Sequence, residues 1–161
     1  MNCLVWNARG LGNQRAIRDL KRLIADKTHW PFTGFYGNPI LSQRKLSWQL
    51  LRRLEGIHEL KNLPWLIGGD FNEILFESEK MGGQRRSIVQ MTAFSNVMED
   101  CGLHDLGCTG DPFTWCNKHK GDEMLFARLD RFVCNLDWRM KYPSAGVKNL
   151  DFWGSHHRAV L

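Results

Sequence analysis

The stretch that most narrows what this chain can fold into is residues 64–74, P-W-L-I-G-G-D-F-N-E-I. Trp65, Leu66 and Ile67 form a short apolar run bounded by a proline and two glycines, the pattern of a buried strand. Gly68 and Gly69 let a backbone or a ligand come close where bulkier side chains would block it. Asp70 and Asn72 follow two positions apart, so an extended chain presents both on the same side. A carboxylate beside a carboxamide suits phosphate chemistry. One holds a hard cation or orients water, and the other hydrogen-bonds a phosphoryl oxygen. A plain Asx turn at a strand end has the same spelling, and only the rest of the chain can raise one reading over the other.

Before that strand, residues 3–6 are a short apolar strand ending at Asn7. Asn13 can cap a helix over 13–27 with Ile17, Leu20 and Ile24 on one face. The aromatic, alternating residues 32–36 read as a strand. The spacing predicts a second helix over 42–57, burying Leu46, Leu50, Leu54 and Ile57 and turning Arg44, Lys45, Arg52 and Arg53 to other faces. A polar loop over 77–87 leads to a third helix, 88–101, burying Met91, Phe94, Met98 and Cys101. Residues 113–128 read as an antiparallel hairpin, 129–140 as helical, and 148–152 and 155–161 as extended. Strands alternating with helices make an α/β or α+β domain. The hairpin and the short aromatic strands favour antiparallel pairing, hence a two-layer β-sandwich flanked by helices over a doubly wound parallel sheet.

A chain of 161 residues makes one domain with a sizeable core. It has no apolar run long enough to cross a bilayer, and the first residues lack the basic and apolar regions of a signal peptide. The five cysteines form no C-x-x-C pair and fit reduced, buried thiols. The expected location is intracellular, nucleus or cytoplasm, with no membrane contact and no obligate protein partner. A net charge of +5, with basic pairs such as Arg52-Arg53 and Arg85-Arg86, leans toward a polyanion, although solvated helix faces look the same.

Six blocks then carry a family resemblance. They are W-N-A-R-G-L-G at 6–12, F-T-G-F-Y-G-N-P at 32–39, W-L-I-G-G-D-F-N-E-I-L at 65–75, F-T-W-C-N at 113–117, A-R-L-D-R-F at 127–132 and S-H-H-R at 155–158. In this order they resemble the endonuclease/exonuclease/phosphatase family, most closely the endonuclease domain of plant LINE-type (non-LTR) retrotransposons. The resemblance implies a β-sandwich flanked by helices, phosphodiester hydrolysis with Mg²⁺ or Mn²⁺, and DNA as partner.

Carried over residue by residue, the resemblance implies that Asn7 helps hold metal-bound water and that Tyr36 approaches the scissile phosphate. Asp70 would orient or deprotonate the attacking water, and Asn72 would bind phosphate. Thr114 and Arg128 would lie by the nucleic-acid backbone. Asp130 would fix the tautomer of His157, which faces the phosphate. Each residue also has a bland reading: a turn at Asn7, core positions for Tyr36 and His157, and an ion pair of Asp130 with Arg128 or Arg131.

The sequence departs from the family pattern in two places. The family's metal-binding Glu, on a strand soon after the first helix, has no counterpart. Between Arg9 and Gly69 the only carboxylates are Asp19, Asp26, Glu55 and Glu59. The abrupt passage near 27–31 reads as an internal deletion, and the final apolar run as a truncated C-terminal strand. The family's closing S-D-H is here Ser155-His156-His157, with a neutral imidazole at a position that would serve Mg²⁺ as an anion. The expectation is therefore a single, incomplete domain over 1–161, derived from a Mg²⁺-dependent DNA endonuclease and catalytically impaired. The alternatives are a non-catalytic nucleic-acid-binding remnant, or a zinc-binding one using Cys101, His104, Cys108 and Cys116, whose spacings match no common zinc motif.

Overall fold

The computed structural model describes the backbone of residues 3–7 and the whole of residues 30–57, 63–152 and 155–161. The expected helix over 13–27 lies outside the described residues. In chain order the strands are β1 (Cys3–Asn7), β2 (Trp30–Tyr36), β3 (Leu66–Asp70), β4 (Lys80–Met81), β5 (His104–Asp105), β6 (Trp115–Cys116), β7 (Phe126–Ala127), β8 (Asp130–Cys134), β9 (Asn149–Phe152) and β10 (Arg158–Val160). The described helices are α1 (Arg44–Glu55), α2 (Ile88–Asp100) and α3 (Leu136–Lys141).

The strands form a five-stranded sheet ordered β1-β2-β3-β8-β5, a three-stranded sheet ordered β4-β7-β6, and the pair β9-β10. In the large sheet β1, β2 and β3 run parallel, while β8 lies antiparallel to both β3 and β5. The favoured antiparallel pairing holds for β8 and the smaller sheets, while β1, β2 and β3 pair in parallel. Helix α1 connects β2 to β3, which is the crossover that a parallel pair requires. The 113–128 hairpin does form, reduced to the β6–β7 pair.

Alternation along the central strands divides the core in two. Phe35, Ile67 and Val133 meet Trp48, Leu51 and Leu54 of α1 and Phe94, Val97 and Met98 of α2. Trp30, Leu66 and Cys134 meet Trp138 of α3, with Phe32 and Phe132 packed alongside. Gly68 is a glycine because the ring of Phe132 lies across it: a Cβ there would stand 2.3 Å from a ring carbon.

Two expectations about helices are corrected here. Helix α1 buries Arg44, Ser47, Trp48, Leu51 and Leu54, whereas Leu46 is exposed and Leu50 half-buried. The stacked Trp48 and Phe94 rings, 4.7 Å apart, and the buried Arg44–Glu73 ion pair set that rotation. The 129–140 stretch is strand β8 followed by α3. Asp130, Phe132 and Cys134 alternate with Arg131 and Val133, a period of two. Helix α3 then starts where Asn135 Oδ1 accepts the Trp138 amide, a side-chain N-cap.

Candidate active site

Parallel strands β1, β2 and β3 end at one edge of the large sheet, and antiparallel β8 begins there. Tyr36 is the register partner of Asp70, and Asp70 of Asp130. Directly paired residues point to the same face of a sheet, so the three stand in a row across β2, β3 and β8. Asn7 ends β1 beside Gly34, at the same edge.

Past β3 the chain turns sharply. Asp70 Oδ1 accepts the backbone N–H of Asn72 at 2.8 Å, and Oδ2 accepts its side-chain amide at 2.9 Å. Asn72 adopts a positive φ of 55°, a conformation that Asn tolerates. Its Nδ2 also donates to the Gly37 carbonyl at 2.9 Å, tying the loop after β2 to the loop after β3. The two loops meet so closely that a Cβ on Gly37 would stand 2.1 Å from the Phe71 carbonyl oxygen. The Asx turn and the polar cluster are therefore the same structure.

The last member comes from the far end of the chain. His157 Nδ1 lies 2.8 Å from Asp130 Oδ2. A carboxylate accepts, so Nδ1 carries the proton and Nε2 is left for another partner. Thr114 holds both halves of this pair. Its buried Oγ1 accepts the amides of Leu129 and Asp130 at 3.0 and 2.9 Å, and its carbonyl accepts the Arg158 amide at 2.7 Å.

Burial, then the neighbouring Asp130 charge, pushes the Asp70 carboxyl up to about 6. The hydrogen bond that His157 donates to Asp130, against the opposing effect of burial, raises His157 above the ordinary histidine value. The cluster thus holds a carboxyl that keeps its proton up to about pH 6 and a histidine whose imidazolium form, favoured by Asp130, can donate to a phosphoryl oxygen.

Two of the residues expected at a nucleic-acid backbone are placed otherwise. Thr114 is fully buried and spends its hydroxyl oxygen on β8. Arg128 donates to Glu79 and to Asp105, each at 2.8 Å. Asp130 pairs with neither Arg128 nor Arg131 but with His157. Fully buried Arg131 joins Arg128 on the same two acids, so Glu79, Asp105, Arg128 and Arg131 form one network under the site. Burial alone would raise Asp105; the guanidiniums of Arg131 and Arg128 outweigh it and hold the carboxyl below its usual value. A second group, Glu73 with Arg44 and Arg86, lies just past Asn72. Spacing could not reveal either network, because the partners are far apart in sequence. The one local sign was R-L-D-R itself, with two arginines flanking the acid.

The described residues fit a resident divalent ion poorly. Both Asp70 oxygens are engaged by Asn72, and one Asp130 oxygen by His157. His156 donates its Nδ1–H to the Cys116 carbonyl at 2.9 Å, which leaves one ring nitrogen where Mg²⁺ favours oxygen. Among the described residues no three His, Cys, Asp or Glu side chains are grouped to hold a metal. No such group joins Cys101, His104, Cys108 and Cys116 among the described residues either. Cys101 and Cys116 are buried, with the Cys101 thiol pushed up to about 11 by burial, while His104 is exposed on β5.

No family model matches this chain, and no curated protein matches it. A solved structure does: the endonuclease domain of TRAS1, a telomere-specific non-LTR retrotransposon, with a TM-score of 0.53 and 19% sequence identity. The fold is endonuclease/exonuclease/phosphatase-like. The match covers 79% of this chain and 52% of that one, so this chain spans about half the length of the structure it resembles. Among the described residues no helix is long and apolar enough to cross a membrane.

Proposed function

We propose that this chain derives from a retrotransposon-type DNA endonuclease and binds the DNA backbone at the Asp70–Asn72–Asp130–His157 edge without appreciable cleavage. The observation that carries this reading is the convergence of those four side chains, from β3, its following turn, β8 and the segment before β10, on one edge of the sheet. In that arrangement Asp130 holds the His157 ring so that Nε2 can meet a non-bridging phosphate oxygen, and doubly protonated His157 donates to it. Asn72 braces the loop that carries Gly37. Asp70 stores a proton and, when neutral, no longer repels a phosphate.

Loss of turnover is the second half of the reading. Hydrolysis of this class draws on a divalent ion that neutralises developing charge on phosphorus. The donors present would anchor such an ion loosely, since the family's Glu has no counterpart and His156 stands where its Asp would be. Small misplacements of reacting groups cost on the order of 10²-fold in rate. The same proposal takes the chain to be of the plant LINE type, with an internal segment lost near 27–31.

The test is nicking of supercoiled plasmid with Mg²⁺ or Mn²⁺ and with EDTA, run beside salt-dependent DNA binding. The wild-type chain is expected to nick no faster than His157→Ala and to bind DNA more weakly as salt rises. His156→Asp alone should not restore cleavage. Metal-dependent nicking that Asp70→Ala abolishes would overturn the reading in favour of an active enzyme. Absence of DNA binding would overturn it altogether.

A further inference from the structure

We propose that a groove beside the candidate site seats a nucleobase of the DNA strand whose phosphate lies at Asp70 and His157. The inference rests on the phosphodiester reading above and adds a base subsite to it. The groove has a volume of about 370 Å³ and lies between the end of β2 and the first half of α1. Tyr36, Pro39, Ile40, Leu46 and Leu50 make its apolar wall. Tyr36, Ile40 and Leu46 are 50%, 55% and 53% exposed, an accumulation of large apolar side chains facing solvent on one small patch.

Its position relative to the site argues for a base as occupant. Tyr36 is the register partner of Asp70, and the Gly37 carbonyl accepts the Asn72 amide. The next residue, Asn38, already borders the groove, so a strand held by its phosphate at the sheet edge has its adjoining base beside the Tyr36 ring. An aromatic ring at such a place offers stacking that tolerates any base.

The rim and the surrounding charge match as well. Asn38 Oδ1 accepts the Ile40 amide, and its Nδ2 donates to Gln43 Oε1 at 3.1 Å. That bond fixes the Gln43 carboxamide and leaves its Nε2 hydrogens to donate to a base edge. On α1, exposed Arg53 follows Leu50 by three positions and so shares its helix face. A strand leaving the groove along α1 meets a cation there.

The experiment compares a short oligothymidylate with an abasic oligomer of equal length and equal phosphate count, by fluorescence anisotropy at fixed low salt. The wild-type chain should bind the oligothymidylate about tenfold more tightly, the lower part of the range for one stacked base. The Ile40→Ser, Leu46→Ser double variant alters two exposed positions, and circular dichroism should show the wild-type spectrum. It should keep the wild-type abasic affinity and lose most of the base preference, with the Tyr36 ring alone remaining. Equal binding of both oligomers by the wild type would overturn the base subsite and leave the phosphate reading standing. A base preference undiminished in the double variant would overturn the groove as its location. No binding of either oligomer would overturn both readings.

Discussion

Asp130 and Arg131 are consecutive residues of β8, yet they belong to two differently built charge clusters. Alternation turns Asp130 to the face that carries Tyr36 and Asp70, and sends Arg131 into the side packed by α1 and α2. Arg131 is fully buried, and its guanidinium meets Glu79 and Asp105 at 2.8 Å. There the charges neutralise one another, and Asp105 is held ionised. At Asp130 the pairing is left incomplete. His157 neutralises it only when protonated, and the nearby Asp70 adds a like charge that keeps its own proton up to about pH 6. Buried charge that is fully paired serves as structure, whereas charge left partly paired at an edge keeps the capacity to bind or transfer.

The largest effect should come from breaking the structural cluster. Arg131→Met leaves Glu79 and Asp105 with Arg128 as their one remaining guanidinium, at a cost of roughly 3–5 kcal/mol. Urea unfolding should show a collapse of the transition midpoint or an unfolded chain. A loss below about 1 kcal/mol would show that the network is not what secures β8.

Thr114→Val tests the link between the two clusters. Removing the oxygen that accepts the Leu129 and Asp130 amides leaves two buried donors, at about 1–3 kcal/mol in all. The same variant should loosen the Asp130–His157 bond, so the His157 pKa measured by NMR should fall toward the ordinary histidine value. Reduced stability with an unchanged His157 titration would mean that Thr114 supports the fold only.

Asp70→Asn should have the opposite sign. The folded-state pKa of Asp70 is raised, so its contribution is present at low pH and is lost as pH climbs through about 6. At pH 7 the ionised group is a burden, and its neutral replacement should stabilise the fold by roughly 1–3 kcal/mol. The gain should vanish below pH 4, where the wild-type carboxyl is protonated in both states. Equal midpoints at both pH values would place Asp70 in ordinary solvent.

The smallest effect concerns His157, whose folded pKa is also raised. Its contribution is fully present below the unfolded histidine value and is lost as pH rises through the folded one. Because the ring is more than one-third exposed, screening keeps this well under the buried case. Asp130→Asn should lower the His157 pKa in an NMR titration. An unchanged value would separate the pair in solution.

Much of this arrangement was legible in the sequence. The strand ending at Asp70 announces itself by an apolar run closed by glycines, and local geometry makes the Asp70–Asn72 turn. The segment 129–140 was misread because apolar residues at a period of two, followed by a short helical period, overlap in so small a window. The rotation of α1 was misread for a different cause. Leu46 and Leu50 are as apolar as Leu51 and Leu54, and nothing local says that Trp48 will stack on Phe94 or that Arg44 will meet Glu73.

Outside 129–140, strand identity, helix spans and the candidate polar residues were thus set locally, by side-chain period, turn chemistry and glycine placement within a few residues. Which charges are structural and which remain available was decided only by the tertiary fold. Asp130 could have paired with either flanking arginine. It pairs with His157 because alternation along β8 turns Arg131 to the opposite face, and Asp105 of neighbouring β5 and Glu79 meet the arginines instead. Thr114, readable as a surface contact, becomes a buried acceptor for the same reason: two backbone donors, separated from it by a hairpin, need an oxygen where solvent cannot supply one.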